Sequence, residues 1–313
     1  MSVVIPCYRV ASQILDVIAG IGEEVDVIYV IDDACPEGTA KLVREECGDQ
    51  RVVVLTHDQN LGVGGATISG YRRAIADGAE IVVKLDGDGQ MDPANILQLT
   101  RPISEGLADY TKGNRFFDPE VVVAMPKLRL IGNAILSLFA KFSTGYWDIF
   151  DPNNGFTAIS AQVLKRLPLD KISEGYFFES DMLFRLNSYR AVVTDIPMPA
   201  IYGTEKSGIS LPMAAFEFFF RHWINTIKRI VYNYFLRDFS IATLELALGL
   251  AMLLFGVIVG GVFWWESIST GVVATAGQVM LAALPVIVGI FLLLSFLNYD
   301  IRNVPRTPLR RLL

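Results

Sequence analysis

An α/β architecture built on a mostly parallel sheet, followed by a helical hairpin that crosses a membrane, is what this chain of 313 residues predicts. Two observations carry that reading. Short β-branched runs alternate with helix-sized segments through the first part of the chain, which is the pattern of strand-helix-strand units. Two long uncharged stretches then follow towards the other end, each long enough to cross hydrocarbon. The composition agrees, since 52% of the residues are hydrophobic and only 19% are charged, against roughly 25% charged in an average soluble domain.

Taken in order, the strand-like runs are Ser2 to Pro6, Val25 to Ile31, Val52 to Leu55 and Ile81 to Leu85, with Ile14 to Gly20, Thr39 to Glu46 and Gly64 to Asp77 as the intervening helices. In such a sheet ligands sit beyond the carboxyl ends of the strands. Met213 to Leu236 mixes Phe216, Phe218, Phe219, Phe220, Trp223, Ile227, Ile230 and Tyr234 with basic residues, as a helix lying in the bilayer interface does. Leu246 to Trp265 is 20 residues without a charge, and a helix of that length rises about 30 Å, one hydrocarbon thickness. Ser267 to Tyr299 is also uncharged, and its apolar part from Val279 to Leu297 makes a second span with Pro285 as a kink. The expected organisation is therefore a body over 1–212, interfacial helices over 213–238, two spans within 239–299 (about 241–264 and 275–297) and a basic tail over 300–313.

Charge is distributed unevenly. Up to Glu205 there are 18 Lys and Arg against 28 Asp and Glu, and from Lys206 on there are 9 against 5. An acidic body argues against nucleic acid as its partner, because a phosphate backbone is met by clustered Lys and Arg. The greasy basic remainder points to a lipid bilayer. Arg221, Lys228, Arg229 and Arg237 precede the spans, Arg302, Arg306, Arg310 and Arg311 follow them, and the loop between carries Glu266 without Lys or Arg. By the positive-inside rule both flanks, and hence the body and both termini, are expected in the cytoplasm. The N-terminal MSVVIPCYRV has no basic start and no sustained apolar stretch, so it does not read as a signal peptide. Cys7, Cys35 and Cys47 show no paired spacing, which fits a reducing compartment better than a disulfide or zinc framework.

The strand ends carry the chemistry. Ile28-Tyr29-Val30-Ile31 ends in Asp32-Asp33, and Ile81-Val82-Val83-Lys84-Leu85 ends in Asp86-Gly87-Asp88-Gly89-Gln90. Two carboxylates one residue apart repel unless something neutralises them. Mg²⁺ or Mn²⁺ does so, taking one or two carboxylates plus the oxygens of a substrate diphosphate. Asn60-Leu61-Gly62-Val63-Gly64-Gly65-Ala66-Thr67 lacks the third glycine of a dinucleotide fingerprint and follows the third run instead of the first, so NAD or FAD is not expected. A glycine-rich helix start whose amides face a nucleotide is. His57 falls in a loop and His222 in the interfacial segment, so no histidine dyad is suggested.

Val3-Val4-Ile5-Pro6-Cys7-Tyr8, Val30-Ile31-Asp32-Asp33, Asn60 to Ala66, Asp86 to Gln90 and Asp151-Pro152-Asn153-Asn154-Gly155-Phe156 stand in one order. In that order they resemble the family-two glycosyltransferases of the GT-A fold. With the two spans, the chain resembles the polyprenyl-phosphate sugar synthases, such as dolichyl-phosphate mannose synthase and its bacterial relatives. The resemblance implies an inverting, metal-dependent transfer of a sugar from a GDP- or UDP-linked donor to dolichyl or undecaprenyl phosphate. It implies that Pro6, Tyr8, Asp33 and Gly62 border the donor with Asp86 and Asp88, and that Asp86, Asp88 and Gln90 surround the metal. Lys112-Gly113-Asn114-Arg115 resembles the family's Gly-Ser-Arg segment, and Arg129 with Asn133 forms an i, i+4 pair. The resemblance implies that Arg115, Arg129, Asn133 and Lys206 grip the acceptor phosphate, a task for which the guanidinium fork is suited. Asp88, Asp151, Arg115 and Arg129 are thus the expected catalytic set, with Asp151 or an acid of Glu179-Ser180-Asp181 positioning the acceptor. Glu205 stands where relatives often carry a basic residue, and Ala34-Cys35-Pro36 replaces a small polar pair. Two other readings stay open: a transferase to a glycan hydroxyl, and a noncatalytic nucleotide-sugar-binding membrane scaffold.

Overall fold

The computed structural model describes residues 1–117, 127–199 and 211–312, the side chains of 127–129 and 211–215 excepted. Its sheet contains seven strands: β1 (Ser2–Cys7), β2 (Val27–Asp32), β3 (Val52–Thr56), β4 (Ile81–Lys84), β5 (Tyr110–Asn114), β6 (Thr157–Ser160) and β7 (Val193–Pro197). They lie in the order β3-β2-β1-β4-β6-β5-β7. β1 pairs in parallel with β2 and β4, β2 with β3 and β5 with β7, whereas β6 runs antiparallel to β4 and β5. Every residue of β1 is buried, as a central strand covered on both faces requires, and its Val-Val-Ile run reflects that.

Helices fill both sides. The expected helices appear as Ile14–Ala19, Thr39–Glu46 and Gly62–Ala76. The helix Ile96–Ser104 buries Ile96, Leu99 and Ile103, spaced to fall on one face. They join Val3, Ile5, Ile28, Val30, Val83 and Leu85 with Ile14, Val17 and Ile18 in one core. After β3 the chain returns through the Gly62–Ala76 helix and lays β4 on the other side of β1. β1 and β4 therefore flank the point where strand order reverses, the usual place for a ligand.

Residues Met1–Ile227 and the segment from Pro305 onward form one compact unit, and Lys228–Val304 another. In the first, the helix Lys127–Thr144 is joined to the helix Leu211–Ile230 by an edge-on Phe139–Phe219 contact and by a 2.7 Å hydrogen bond between Ser143 Oγ and His222 Nδ1. The returning segment docks on the start of β5. The Leu309 and Arg310 amides donate to the buried Asp109 carboxylate at 2.6 and 3.0 Å, the Val192 amide donates to it at 2.8 Å, and the Arg310 guanidinium donates to the Ile103 carbonyl.

The second unit is a hairpin of the helices Ile241–Thr270 and Ala276–Arg302, with mean hydropathies of 2.5 and 2.7 in their most apolar windows. Both are long and apolar enough to cross a membrane. The second is closed by a capping box at Thr275/Gln278, and at the start of the first the Ser240 amide donates to Thr243 Oγ1 at 3.2 Å. Gly249, Gly256 and Gly289 are buried along the contact between the two helices, where small residues let backbones approach. At the hairpin's base, Arg229 grips Asp300 bidentately at 2.6 and 2.9 Å and Tyr234 donates its hydroxyl to the same carboxylate at 2.5 Å, all three side chains buried.

Candidate active site

β4 stops at Lys84, and the chain turns at once through Asp86 to Gly89. A pocket of about 120 Å³ opens there, lined by Asp86, Asp88 and Gln90 from this turn, by Arg115 from the end of β5, and by Asn153, Asn154, Gly155 and Phe156 from the approach to β6. Four residues singled out from sequence thus meet in one place because β4 and β5 end on either side of the start of β6. The Gln90 amide donates to Asp88 Oδ1 at 3.0 Å, which fixes the turn.

Lys84 is fully buried, and its ammonium donates to Asp86 Oδ1 at 2.6 Å and to the Gly155 carbonyl at 3.3 Å, with Glu179 Oε1 at 3.1 Å. Burial alone would lower its pKa, but Asp86 and Glu179 more than reverse that and hold it above the usual lysine range, so it stays cationic. Gly155 packs closely beside this pair. A Cβ there would press into Asp86 Oδ2 and stand 2.6 Å from Lys84 Nζ.

Arg115 and Asp151 are bound to each other. Arg115 donates from Nε to Asp151 Oδ2 at 2.8 Å and from Nη2 to Oδ1 at 3.1 Å, and Asn154 Nδ2 donates to the same carboxylate at 3.3 Å. Burial pushes the Asp151 carboxyl up, but Arg115 and Lys112 outweigh it and hold the group below the ordinary aspartate value. Asp151 is therefore a poor proton acceptor and a good anchor for Arg115. Lys112, itself buried, donates to the Asp151 backbone carbonyl and lies 3.7 Å from Asp195. Asp181 faces elsewhere, accepting from Ser173, Arg185 and Asn225.

Of the other residues expected around the donor, Pro6, Tyr8 and Asp33 stand at the carboxyl ends of β1 and β2 and Gly62 opens the helix Gly62–Ala76, all outside the lining of that pocket. Pro6 is buried in β1 opposite Ile31, and Tyr8 follows it, 43% exposed, with the Arg9 guanidinium 5.4 Å over its ring. Asp33 is buried. Its carboxylate accepts from the Leu61 and Gly62 amides at 2.9 and 2.8 Å and lies 2.7 Å from His57 Nδ1, whose Nε2 is 2.9 Å from Ser69 Oγ. The Gly64 and Gly65 amides donate to the Glu174 carbonyl at 2.7 and 3.1 Å. The glycine-rich helix start was expected to turn its amides to a nucleotide; these amides are engaged by Asp33 and Glu174 instead. Gly64 has no side chain because a Cβ would run into the Ser173 and Glu174 carbonyls, the latter at 2.8 Å.

Arg129 lies in the helix Lys127–Thr144 one turn before the half-buried Asn133; its side chain, and all of Lys206, fall outside the described residues. Sequence reasoning passed over Lys84 and its contact with Glu179. The one available signal was a lysine inside an otherwise apolar strand run.

Two carboxylates in one turn of an oxygen-rich pocket fit a hard divalent cation. Among the described residues no group of three or more His, Cys, Asp or Glu side chains gathers as a metal cluster, so further ligands would come from substrate oxygens and water.

Residues 2–168 match the family model described as glycosyl transferase family 2. The chain belongs to glycosyl transferase family 2. This glycosyltransferase is 30% identical over 235 residues to a UDP-N-acetylglucosamine–dolichyl-phosphate N-acetylglucosaminyltransferase of Methanococcus voltae, covering 70% of this chain and 92% of the relative. It is also 30% identical over 173 residues to an undecaprenyl-phosphate mannosyltransferase of Micrococcus luteus, covering 55% and 70%. Structures of glucosyl-3-phosphoglycerate synthase from Mycobacterium tuberculosis share its fold. The complex with Mn²⁺, UDP and glucosyl-3-phosphoglycerate and that with Mg²⁺ and UDP both match at a TM-score of 0.54, with 18% and 19% identity over 73% of this chain and 78% of theirs. The glycosyltransferase thus has a GT-A-like, mostly parallel α/β domain and two C-terminal helices able to span a bilayer.

Proposed function

We propose that this enzyme transfers a sugar, with inversion, from a GDP- or UDP-linked donor to a polyprenyl phosphate at the membrane surface. The observation that carries the reading is the meeting of Asp86, Asp88, Gln90 and Arg115 in one pocket at the strand ends, in a chain that also carries two apolar spans. The Methanococcus and Micrococcus relatives, named for dolichyl and undecaprenyl phosphate, support the acceptor class.

In this reading Pro6, Tyr8, Asp33 and Gly62 border the nucleotide through the β1 end and the turn that the Asp33 carboxylate orders. Asp86 and Asp88, with Gln90 beside them, would hold Mg²⁺ or Mn²⁺. A bound cation would offset the charge that develops on the departing diphosphate. Arg115, kept in place by Asp151, presents a fixed positive charge to the pocket, and Arg129, Asn133 and Lys206 add the remaining grip on the acceptor phosphate.

The pairing of the acids favours a phosphate acceptor over a hydroxyl. A phosphate monoester has a second pKa near 6 and is mostly dianionic at pH 7, so it attacks without a strong base, whereas a sugar hydroxyl needs one. Asp151 is committed to Arg115 and Glu179 to Lys84.

We further assign 1–212 to the catalytic domain, 213–238 to the interface, 239–299 to the spans and 300–313 to a tail on the cytoplasmic side, with both termini there. The flanking basic residues support this, as does the docking of Leu309 and Arg310 on Asp109 of the catalytic domain. Purified protein incubated with polyprenyl phosphate and radiolabelled GDP- and UDP-sugars should yield a lipid with sugar on its phosphate, and excess EDTA should stop the reaction. Transfer to a hydroxyl, or donor binding without turnover, would overturn the proposal.

A further inference from the structure

We propose that Lys84 is a built-in counter-ion that sets the charge of the cation site, making it a positioning residue for the metal ligands; this rests on Asp86 and Asp88 being those ligands. An ammonium has three N–H groups, and Lys84 has three oxygens around it: Asp86 Oδ1 at 2.6 Å, Glu179 Oε1 at 3.1 Å and the Gly155 carbonyl at 3.3 Å. With the side chain fully buried, the ammonium cannot swing away without orphaning a charge in the protein interior. Holding Oδ1 pins the Asp86 carboxylate in one rotation. Gly155 then closes over the pair at a distance only a missing side chain permits.

The charges around Lys84 give the arrangement its purpose. Asp86 and Glu179 both bring a carboxylate against the Lys84 ammonium, and Asp88 stands in the same turn as Asp86. Lys84 offsets part of the negative charge that the carboxylates of Asp86 and Glu179 bring together. Without it the turn would hold an excess negative charge, which a second ion or a tighter first one would satisfy. Glu179, 95 positions away in sequence and next to Asp86 only through Lys84, acts in the opposite sense.

Binding of Mn²⁺ alone to the full-length protein in detergent, followed by the electron paramagnetic resonance signal of the free ion, tests this without recourse to activity. K84M should bind Mn²⁺ at least about tenfold more tightly or take up a second ion. E179Q should bind about tenfold more weakly, and the double variant K84M/E179Q should return to within about threefold of wild type. A lysine that merely stabilises the core would give single variants with lowered Tm and no opposed shift in affinity, which overturns the proposal. Should K84M alone fail to fold, E179Q against the double variant carries the comparison, since adding K84M must then raise affinity. If wild type binds no Mn²⁺ with or without UDP or GDP, the ligand assignment itself falls; if D88N abolishes binding while K84M and E179Q leave it unmoved, only the counter-ion role does.

Discussion

His222 makes the junction between two helices sensitive to mild acid. It is 2% exposed, pressed edge-on against Phe177 at 4.9 Å and hydrogen-bonded to Ser143 across from the helix Lys127–Thr144. Burial lowers its pKa to about 4, whereas an unfolded histidine titrates near ~6.5. Because the folded value is the lower one, its contribution is fully present above about pH 6.5. Below that the unfolded chain takes up the proton first, and stability declines at about 1.4 kcal/mol per pH unit until the folded value near ~4 is reached. At pH 5 the loss is about 2 kcal/mol, or about 4 to 8 °C in Tm for a domain of this size. H222Q retains a hydrogen-bonding side chain and cannot be protonated. Thermal unfolding in detergent at pH 7 and pH 5 should therefore show a larger acid shift in wild type than in H222Q by that amount. Equal shifts in the two proteins would refute the assignment of the acid sensitivity to His222.

Three other outcomes follow from contacts described above. G64A places a Cβ against two backbone carbonyls that cannot step aside, so it should cost about 1 to 3 kcal/mol by chemical denaturation, and a variant as stable as wild type would show that the Ser173–Gly175 turn yields freely. D300A leaves the buried Arg229 without its carboxylate and should cost about 3 to 5 kcal/mol, while R229M/D300L should recover most of that, as read from thermal unfolding in detergent. R129A should lower kcat/KM for polyprenyl phosphate roughly tenfold to a hundredfold with donor affinity by calorimetry barely changed, and R129K should restore only part; a parallel loss of nucleotide binding would move Arg129 to the donor side.

The first half of the fold was legible because β1 to β4 are apolar runs, with β2 running into Asp32-Asp33 and β4 into Asp86-Gly87. Ile81 to Leu85 and the observed β4 differ by one residue. β5 and β6 were not, since Tyr110–Asn114 and Thr157–Ser160 are short and mostly polar or small, and are held by pairing with strands far away in sequence. The site divides in the same way. Asp86, Asp88 and Gln90 announce themselves locally at a strand end, whereas the Lys84–Glu179 and Arg115–Asp151 pairs exist only once distant segments meet. Gly64 was visible as a glycine but its reason was not, because the Glu174 carbonyl it admits lies 110 positions on.

Asp109 has a consequence for the order in which the molecule is made. Its carboxylate is buried at the first turn of β5, yet two of its amide partners, Leu309 and Arg310, emerge about 200 positions later. At synthesis rates of about 5 to 20 residues per second that is a wait of roughly 10 to 40 s. Until then its other partner among the described residues is the Val192 amide, itself 83 positions on, and both helices of the hairpin are made before the remaining two amides arrive. The start of β5 is thus secured by a segment made after both helices of the hairpin, so that these two bonds can form only once the hairpin has been synthesised.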